Sequence, residues 1–396
     1  MPVFPLICLL VAPQTPHVDT VRIGLASLFK PKEIRVSVVD GSDAFLEVGG
    51  TRVPLRPGEE TRIALDPGGR QLTANSPAGE KTSFSGSGVR LISPGSAIEL
   101  VLPGKLLRRV RGKLFISPAR SRRSLQIVVQ VDLESAVRSV VAAELAGNRN
   151  AEALQAMAVV ARTYMLAHLG RHAGDGFDFC DTTHCQFYRG EDDWMEGVPP
   201  SFIAAAVSAT RGQWVSYRGS LVETYYTAAC GGLTQTPRSV WGGQPRGGYR
   251  YTRVACAWCR ESPYWRWERA ADAGLVFDAL AGAAGFRLSD RAELIARTTR
   301  SSPLVRAVVV RDGSRSTTLS VEAFRRALGQ RLGWNTVRSP SFVIERLGSR
   351  FVFKGRGFGS QVGLCVAGAM AQAAAGRTHS EILSYYFPGT KIGGRP

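Results

Sequence analysis

No apolar run in this 396-residue chain approaches the length of a membrane span, so a transmembrane helix is not expected. Acidic residues are in the minority, with 32 Asp and Glu against 50 Lys and Arg and a formal net charge of +18. Lysine is scarce among the basic residues, at 7 against 43 arginines. A surplus of this sign favours polyanionic partners: nucleic acid, anionic lipid or anionic cell-wall polymers. The one tight basic cluster is Lys105, Arg108, Arg109, Arg111, Lys113, Arg120, Arg122 and Arg123. It lacks the interleaved aromatics that a single-strand stacking platform needs, so it reads as a solvated face and no nucleic-acid partner is expected. A composition of 44% hydrophobic and 21% charged residues argues against long disorder.

What is present is uneven along the chain. Many of the 43 glycines and 21 prolines fall in the first 130 residues, where they separate short β-type runs. Ile34–Val39, Ala44–Val48 and Leu125–Val131 are such runs, and Asp40-Gly41, Gly49-Gly50 and Pro67-Gly68-Gly69 are turn signals between strands. From about residue 131 the pattern turns helical. A helix over 133–145 is followed by a second after Asn150, a candidate N-cap, with Leu154, Met157, Ala158, Ala161 and Met165 as its stripe. Further helices are expected over 202–210, 272–285, 321–332 and 367–375, with strands near 213–217 and 305–310. The class is α+β. The organisation read from the pattern is a possible leader (1–19), a β-rich N-terminal unit (20–130), a helical core (131–270), an α/β insertion (271–345) and a return to the core (346–396). The leader, with its apolar stretch Pro5–Pro13, resembles a short signal h-region that lacks a basic n-region and a small-x-small cleavage site.

Seven cysteines make an odd count, and six remain without Cys8 of the leader. Cys365 lies in a small-residue helical stretch and reads as a buried thiol. Cys180, Cys185, Cys230, Cys256 and Cys259 crowd the middle of the chain, which points to disulfides or a metal. Cys180, His184 and Cys185 offer three ligands in one polar loop, and Cys256 and Cys259 have the spacing of a zinc knuckle. Structural zinc and disulfides, with Cys230 as a further partner, both remain open.

Glu144 falls on the same predicted helix face as Val137, Val140 and Val141. Burying an ionised carboxylate there is costly, which favours the protonated form that a general acid needs. A helix-end glutamate that reaches water or pairs with an arginine fits the same spacing. Residues 355–360, Gly-Arg-Gly-Phe-Gly-Ser, form a glycine-rich turn without the Lys-Ser/Thr ending of a phosphate loop.

Several motifs occur in order: Val131-Asp132-Leu133-Glu134 with Val140-Val141-Ala142-Ala143-Glu144, Ala161-Arg162-Thr163-Tyr164, Asp181-Thr182-Thr183-His184-Cys185-Gln186-Phe187-Tyr188, Tyr226-Thr227-Ala228-Ala229-Cys230-Gly231-Gly232, Val240-Trp241-Gly242-Gly243 and the glycine-rich turn. Together, from about Arg111 to Gly389, they resemble the SpoIID/LytB family, sporulation and amidase-enhancer proteins of the bacterial cell wall. The resemblance implies a mixed α/β core with a long cleft. It implies a lytic transglycosylase acting on peptidoglycan glycan strands, with Glu144 as the catalytic acid and then base. The location it implies is extracytoplasmic, in the cell wall or periplasm, and a separate cell-wall amidase is a possible partner. No cofactor is required for such a reaction, and structural zinc is the one metal considered. Arg162, Tyr188, Tyr225, Tyr226, Gly231, Gly232 and Thr234 are substrate-binding candidates; a structural salt bridge for Arg162 and core packing for the tyrosines are the plainer alternatives. The family's glycine-rich turn carries a histidine where this chain has Ser360, and Val366 and Met157 stand where glutamine is common. These departures motivate the alternative of a wall-binding protein that enhances an amidase without cleaving glycan.

Overall fold

The computed structural model describes residues 18–40, 44–75, 83–145, 147–191, 200–299 and 302–394. Cys8 and nearly all of the expected leader lie outside these residues. The class is α+β. The chain divides into two compact units, one running to Arg149 and resuming over Ala161–Glu223 and from Ile392, the other made of Asn150–Val160 and Thr224–Lys391. The first boundary differs from the expected one near residue 130, because the β-rich segment and the helix that follows it share one unit.

The reason is visible in strand pairing. The seven-stranded sheet of the first unit runs in the order Phe179–Cys180, Thr20–Leu25, Leu125–Asp132, Lys113–Pro118, Val89–Ile92, Phe45–Val48, Thr51–Pro54. Thr20–Leu25 pairs antiparallel with Leu125–Asp132 and parallel with Phe179–Cys180. The Cys/His loop is therefore built onto the edge of the N-terminal sheet. A second, six-stranded sheet holds Leu106–Val110, Ile98–Leu102, Glu33–Val38, Thr61–Leu65, Leu72–Asn75 and Ser83–Gly86. Alternation sets the buried side: Ile34, Val36 and Val38 are buried on Glu33–Val38 while their neighbours are not. The basic cluster is largely solvated, with Arg109 paired to Glu99 at 3.0 Å and Arg111 to Glu191 at 3.0 Å.

The eight helices of the described residues are α1 (Leu133–Glu144), α2 (Ala151–Ala167), α3 (Pro200–Ala209), α4 (Pro237–Trp241), α5 (Ala273–Ala284), α6 (Val321–Leu332), α7 (Val366–Ala374) and α8 (His379–Tyr386). Asp132 caps α1 by accepting from Ser135 N at 3.0 Å. Asn150 caps α2, accepting from Glu152 N at 3.0 Å, as its position before the apolar stripe predicts. From Ala153 to Met165 only Gln155 of α2 escapes full burial, so this helix is apolar nearly all round rather than striped.

In the second unit α5 and α6 pack against the sheets Trp267–Asp272/Arg350–Gly355/Phe342–Leu347 and Glu293–Thr299/Ser302–Asp312/Arg315–Ser320. Their core includes Phe277, Leu280, Phe324, Leu328, Phe351 and Phe353. Phe277 and Phe351 meet edge to face at 5.5 Å, and Phe324 lies in contact with both Phe342 and Phe353. This core runs from Trp267 to Phe353 and so draws on strands on either side of residues 271–345. Phe324 is fully buried, so Phe324→Ala should destabilise this unit by about 3–5 kcal/mol in urea unfolding; a change within error would mean that the packing closes over the lost ring.

Candidate functional site

Glu144 is the last residue of α1. Val137, Val140 and Val141 of its stripe are fully buried, whereas Glu144 is half-buried. The carboxyl therefore stands where the apolar face of the helix runs out, not beneath it. Both features matter chemically. Partial exposure leaves it reachable, and the C-terminal end of a helix carries partial negative charge that opposes a second negative charge there.

Three contacts hold α1 in place. The first is its cap. The second joins α1 to α2: Arg162 donates from Nε and Nη2 to the two carboxylate oxygens of Glu134 at 2.8 and 2.6 Å. The same guanidinium donates to Gln213 O at 3.3 Å and Val207 O at 3.2 Å. The third comes from the Cys/His loop, where Arg189 N donates to Ser139 Oγ at 3.0 Å. With 1% exposure and its donors committed to protein oxygens, Arg162 is a positioning residue for α1 and not the substrate ligand proposed for it.

Tyr188 is corrected in the same way. It is 2% exposed, and burial pushes its hydroxyl well above the ordinary tyrosine range, so its ring has no face for a sugar. Thr234 is also committed: its Oγ1 accepts from Val254 N at 2.8 Å and its N donates to Val254 O at 2.9 Å. Gly231 and Gly232 have φ of +68° and +109°, and a Cβ would lie 2.6 Å from Gly357 N and 2.8 Å from the Trp265 ring respectively. They are glycines because the glycine-rich turn and Trp265 sit against them. Ser360 and Gln361 lie in that turn. Gln361 Nε2 donates to Cys230 O at 2.7 Å and Gln361 N to Thr227 Oγ1 at 3.1 Å.

Tyr225 and Tyr226 are half-buried. Tyr226 begins a strand paired with Leu364–Cys365. Tyr225 belongs to an aromatic row: its ring centroid is 4.9 Å from Trp241 and 6.1 Å from Tyr251, which in turn is 4.8 Å from Tyr249. Trp241 is 46% exposed, an unusual position for the largest side chain. Trp241 and Tyr251 were not among the candidates. Trp241 ends a five-residue helix that stops at Gly242 (φ +85°), and the fold presents its ring at that turn.

The Cys/His loop brings together the three predicted ligands and adds a fourth. His172, Cys180, His184 and Cys185 have their donor atoms within 4.8 Å of one another. His184 Nδ1 is 3.7 Å from Cys180 Sγ and 3.7 Å from Cys185 Sγ, and His172 Nε2 is 3.3 Å from Cys185 Sγ. A tetrahedral zinc with ordinary bond lengths sets sulfur and nitrogen roughly 3.6 Å apart. His172 also turns Nδ1 toward Asp175 Oδ2 at 3.4 Å, the carboxylate contact that orients a ligating imidazole. Cys185, with Thr182 and His184, draws the Cys180 thiol down to about 4, while Cys180 pushes Cys185 up, so the pair shares one proton. All six described cysteines are free thiols, so the alternative disulfide pairings are not formed in this structure. Cys365 is a buried thiol, as read from the sequence, and it meets Cys230, Cys256 and Cys259 in a second cluster.

A depression of about 710 Å³ over the seven-stranded sheet is lined by Arg22, Arg52, Arg90 and Phe115 among others, and by none of the candidate residues.

Residues 121–217 match the family model described as Stage II sporulation protein, SpoIID. That stretch contains α1, α2 and the Cys/His loop. The chain is similar to the Stage II sporulation protein D of Bacillus subtilis, 27% identical over 279 residues that cover 67% of this chain and 76% of the relative. It is 24% identical to the amidase enhancer of Bacillus subtilis over 295 residues, 65% of this chain and 40% of that relative. An uncharacterized protein of Brachyspira hyodysenteriae is 28% identical over 269 residues, 67% of this chain and 68% of its own length.

Replacing Arg162 with alanine would empty the space of a fully buried side chain and leave the part-buried Glu134 without its partner, which costs about 3 kcal/mol. Arg162→Ala should lower the unfolding free energy by that much in urea denaturation, and Arg162→Lys should not restore it, because a single ammonium cannot reproduce the paired donors. A wild-type denaturation curve with weakened glycan binding would return Arg162 to the substrate.

Proposed function

We propose that this chain, which belongs to the SpoIID/LytB family of cell-wall-related proteins, cleaves peptidoglycan glycan strands without water, with Glu144 as acid and then base. The observation that carries this reading is the half-buried carboxyl at the end of α1, inside the segment that matches the family. Its proton passes to the glycosidic oxygen as the C1–O bond of the muramic sugar breaks. The carboxylate left behind takes the proton of the C6 hydroxyl of the same sugar as that oxygen bonds to C1. The product is a 1,6-anhydro ring, and Glu144 ends protonated as it began. Ordinary glycosidases use two carboxyl groups because one of them must attack C1 or activate water. Here the C6 hydroxyl replaces water, so one carboxyl can serve both steps. The basic surface, at a net charge of +18, suits an anionic wall polymer, and the exposed Trp241 beside Tyr225 and Tyr251 is the aromatic surface that fits a sugar ring. Such a substrate places the protein outside the cytoplasm, in the cell wall or periplasm.

A second reading is favoured by Ser360 and by a relative named amidase enhancer. In it the chain binds wall glycan and stimulates a separate amidase, with no bond cleaved.

Incubation with purified peptidoglycan stripped of stem peptides, followed by mass spectrometry for anhydro-muramyl ends, separates the two. Glu144→Gln should reduce product formation about 10²–10⁴-fold, the usual worth of a general acid-base. Product formation unchanged in Glu144→Gln would remove Glu144 from the chemistry. No product from the wild type, with amidase stimulation that survives Glu144→Gln, would establish the enhancer reading.

The same reading includes a structural zinc held by His172, Cys180, His184 and Cys185. It would supply cross-linking and no chemistry at the substrate, since the loop it ties down is the one that donates Arg189 N to α1. Its ligands bind metal deprotonated, so zinc should be retained at neutral pH and lost on acidification as thiolate and imidazole take up protons. His184→Ala should remove one zinc per chain and lower the melting temperature. Unchanged zinc content in that variant, or a Cys180–Cys185 disulfide in the wild type, would end the proposal.

A further inference from the structure

We infer that Cys230, Cys256, Cys259 and Cys365 form a tetrathiolate zinc site in the interior of the second unit. All four are buried, at 1% exposure or less, and their sulfurs lie within 4.8 Å of one another. Cys230 Sγ and Cys259 Sγ are 3.6 Å apart. A disulfide would put them near 2.05 Å. A tetrahedral zinc with four bonds of about 2.3 Å puts each pair roughly 3.8 Å apart. The sulfurs thus surround a point and do not pair off.

The surroundings are built for charged sulfur. Cys230 N and Gly368 N donate to Cys365 Sγ at 3.3 and 3.4 Å, and Cys365 caps the N-terminus of α7, where partial positive charge favours an anion. The Tyr386 hydroxyl lies 3.2 Å from Cys256 Sγ. These are the second contacts that tune and orient thiolate ligands. They are also neutral, so buried thiolates in this place require a cation for compensation. Gly368 makes the room: a Cβ there would run into Tyr386 Oη and would lie 2.9 Å from Cys256 Sγ. Cys256 and Cys259 sit at the two-residue spacing of a zinc knuckle, on the 3₁₀ turn Ala257–Cys259. Four soft ligands in tetrahedral array select zinc or iron, and for the same donors zinc binds more tightly than ferrous iron.

The site clips together three segments remote in sequence. Cys230 and Cys365 are 135 residues apart. Cys230 also receives Gln361 of the glycine-rich turn on its carbonyl, so the metal would fix that turn through its backbone. The site is independent of the Cys/His loop and of the glycan-cleavage reading, because its four ligands and their donors all belong to the second unit.

The full chain, purified under reducing conditions without chelator, should carry two zinc ions by elemental mass spectrometry. In the His184→Ala background one ion should remain, and its X-ray absorption should fit four sulfur neighbours and no nitrogen. Cys259→Ser should instead remove one ion and leave the two-sulfur, two-nitrogen signature. A thiol count on the wild type keeps the test open should that variant fail to fold: the four cysteines should react only after chelation. Zinc falling to none in His184→Ala, iron in place of zinc, or disulfides among these four cysteines in non-reducing mass spectrometry would each overturn the assignment.

Discussion

The pairing of the buried Arg162 with Glu134 is the constraint on which the first unit's candidate site depends. A guanidinium at 1% exposure is tolerable only when its donors are matched, and this one is matched to two carboxylate oxygens and two carbonyls. The geometry leaves little latitude, since a planar fork meets a carboxylate edge in few orientations. It therefore sets how α1 lies on α2, and with it where the end of α1 carries Glu144. A residue that looks like a substrate ligand by its place in a motif is engaged instead in positioning α1.

Each unit also gathers its described cysteines into one cluster. His172, Cys180, His184 and Cys185 converge at the edge of the seven-stranded sheet, where Phe179–Cys180 pairs with Thr20–Leu25. Cys230, Cys256, Cys259 and Cys365 converge beneath the glycine-rich turn. In both, the ligand atoms are closer than unrelated side chains need to be and farther apart than disulfide bonds allow.

Local features were legible where they rest on local physics. Asn150 before an apolar run marks a helix start and caps as its position indicates, and Asp132 proves to cap α1 in the same way. The strands of the N-terminal unit follow from alternation and turn residues, as on Glu33–Val38. Tyr188 was not legible, because an aromatic in a motif has the same sequence whether its ring lines a surface or fills a core. Trp241 was passed over for a related reason: only its 46% exposure beside Tyr225 distinguishes it from a core tryptophan.

By itself the sequence determined the α+β class, most element positions, the family motifs and the placing of Glu144 on the apolar side of its helix, because caps, periodicity and motif order act over a few residues. Tertiary structure alone decided that Glu144 stands half-buried at the helix end, that Arg162 belongs to Glu134, and that His172 and Cys365 each join three other side chains in a cluster able to hold a metal. Those outcomes rest on contacts between segments tens to more than a hundred residues apart. Sequence spacing cannot report them, because folding and not chain position brings such donors to one point.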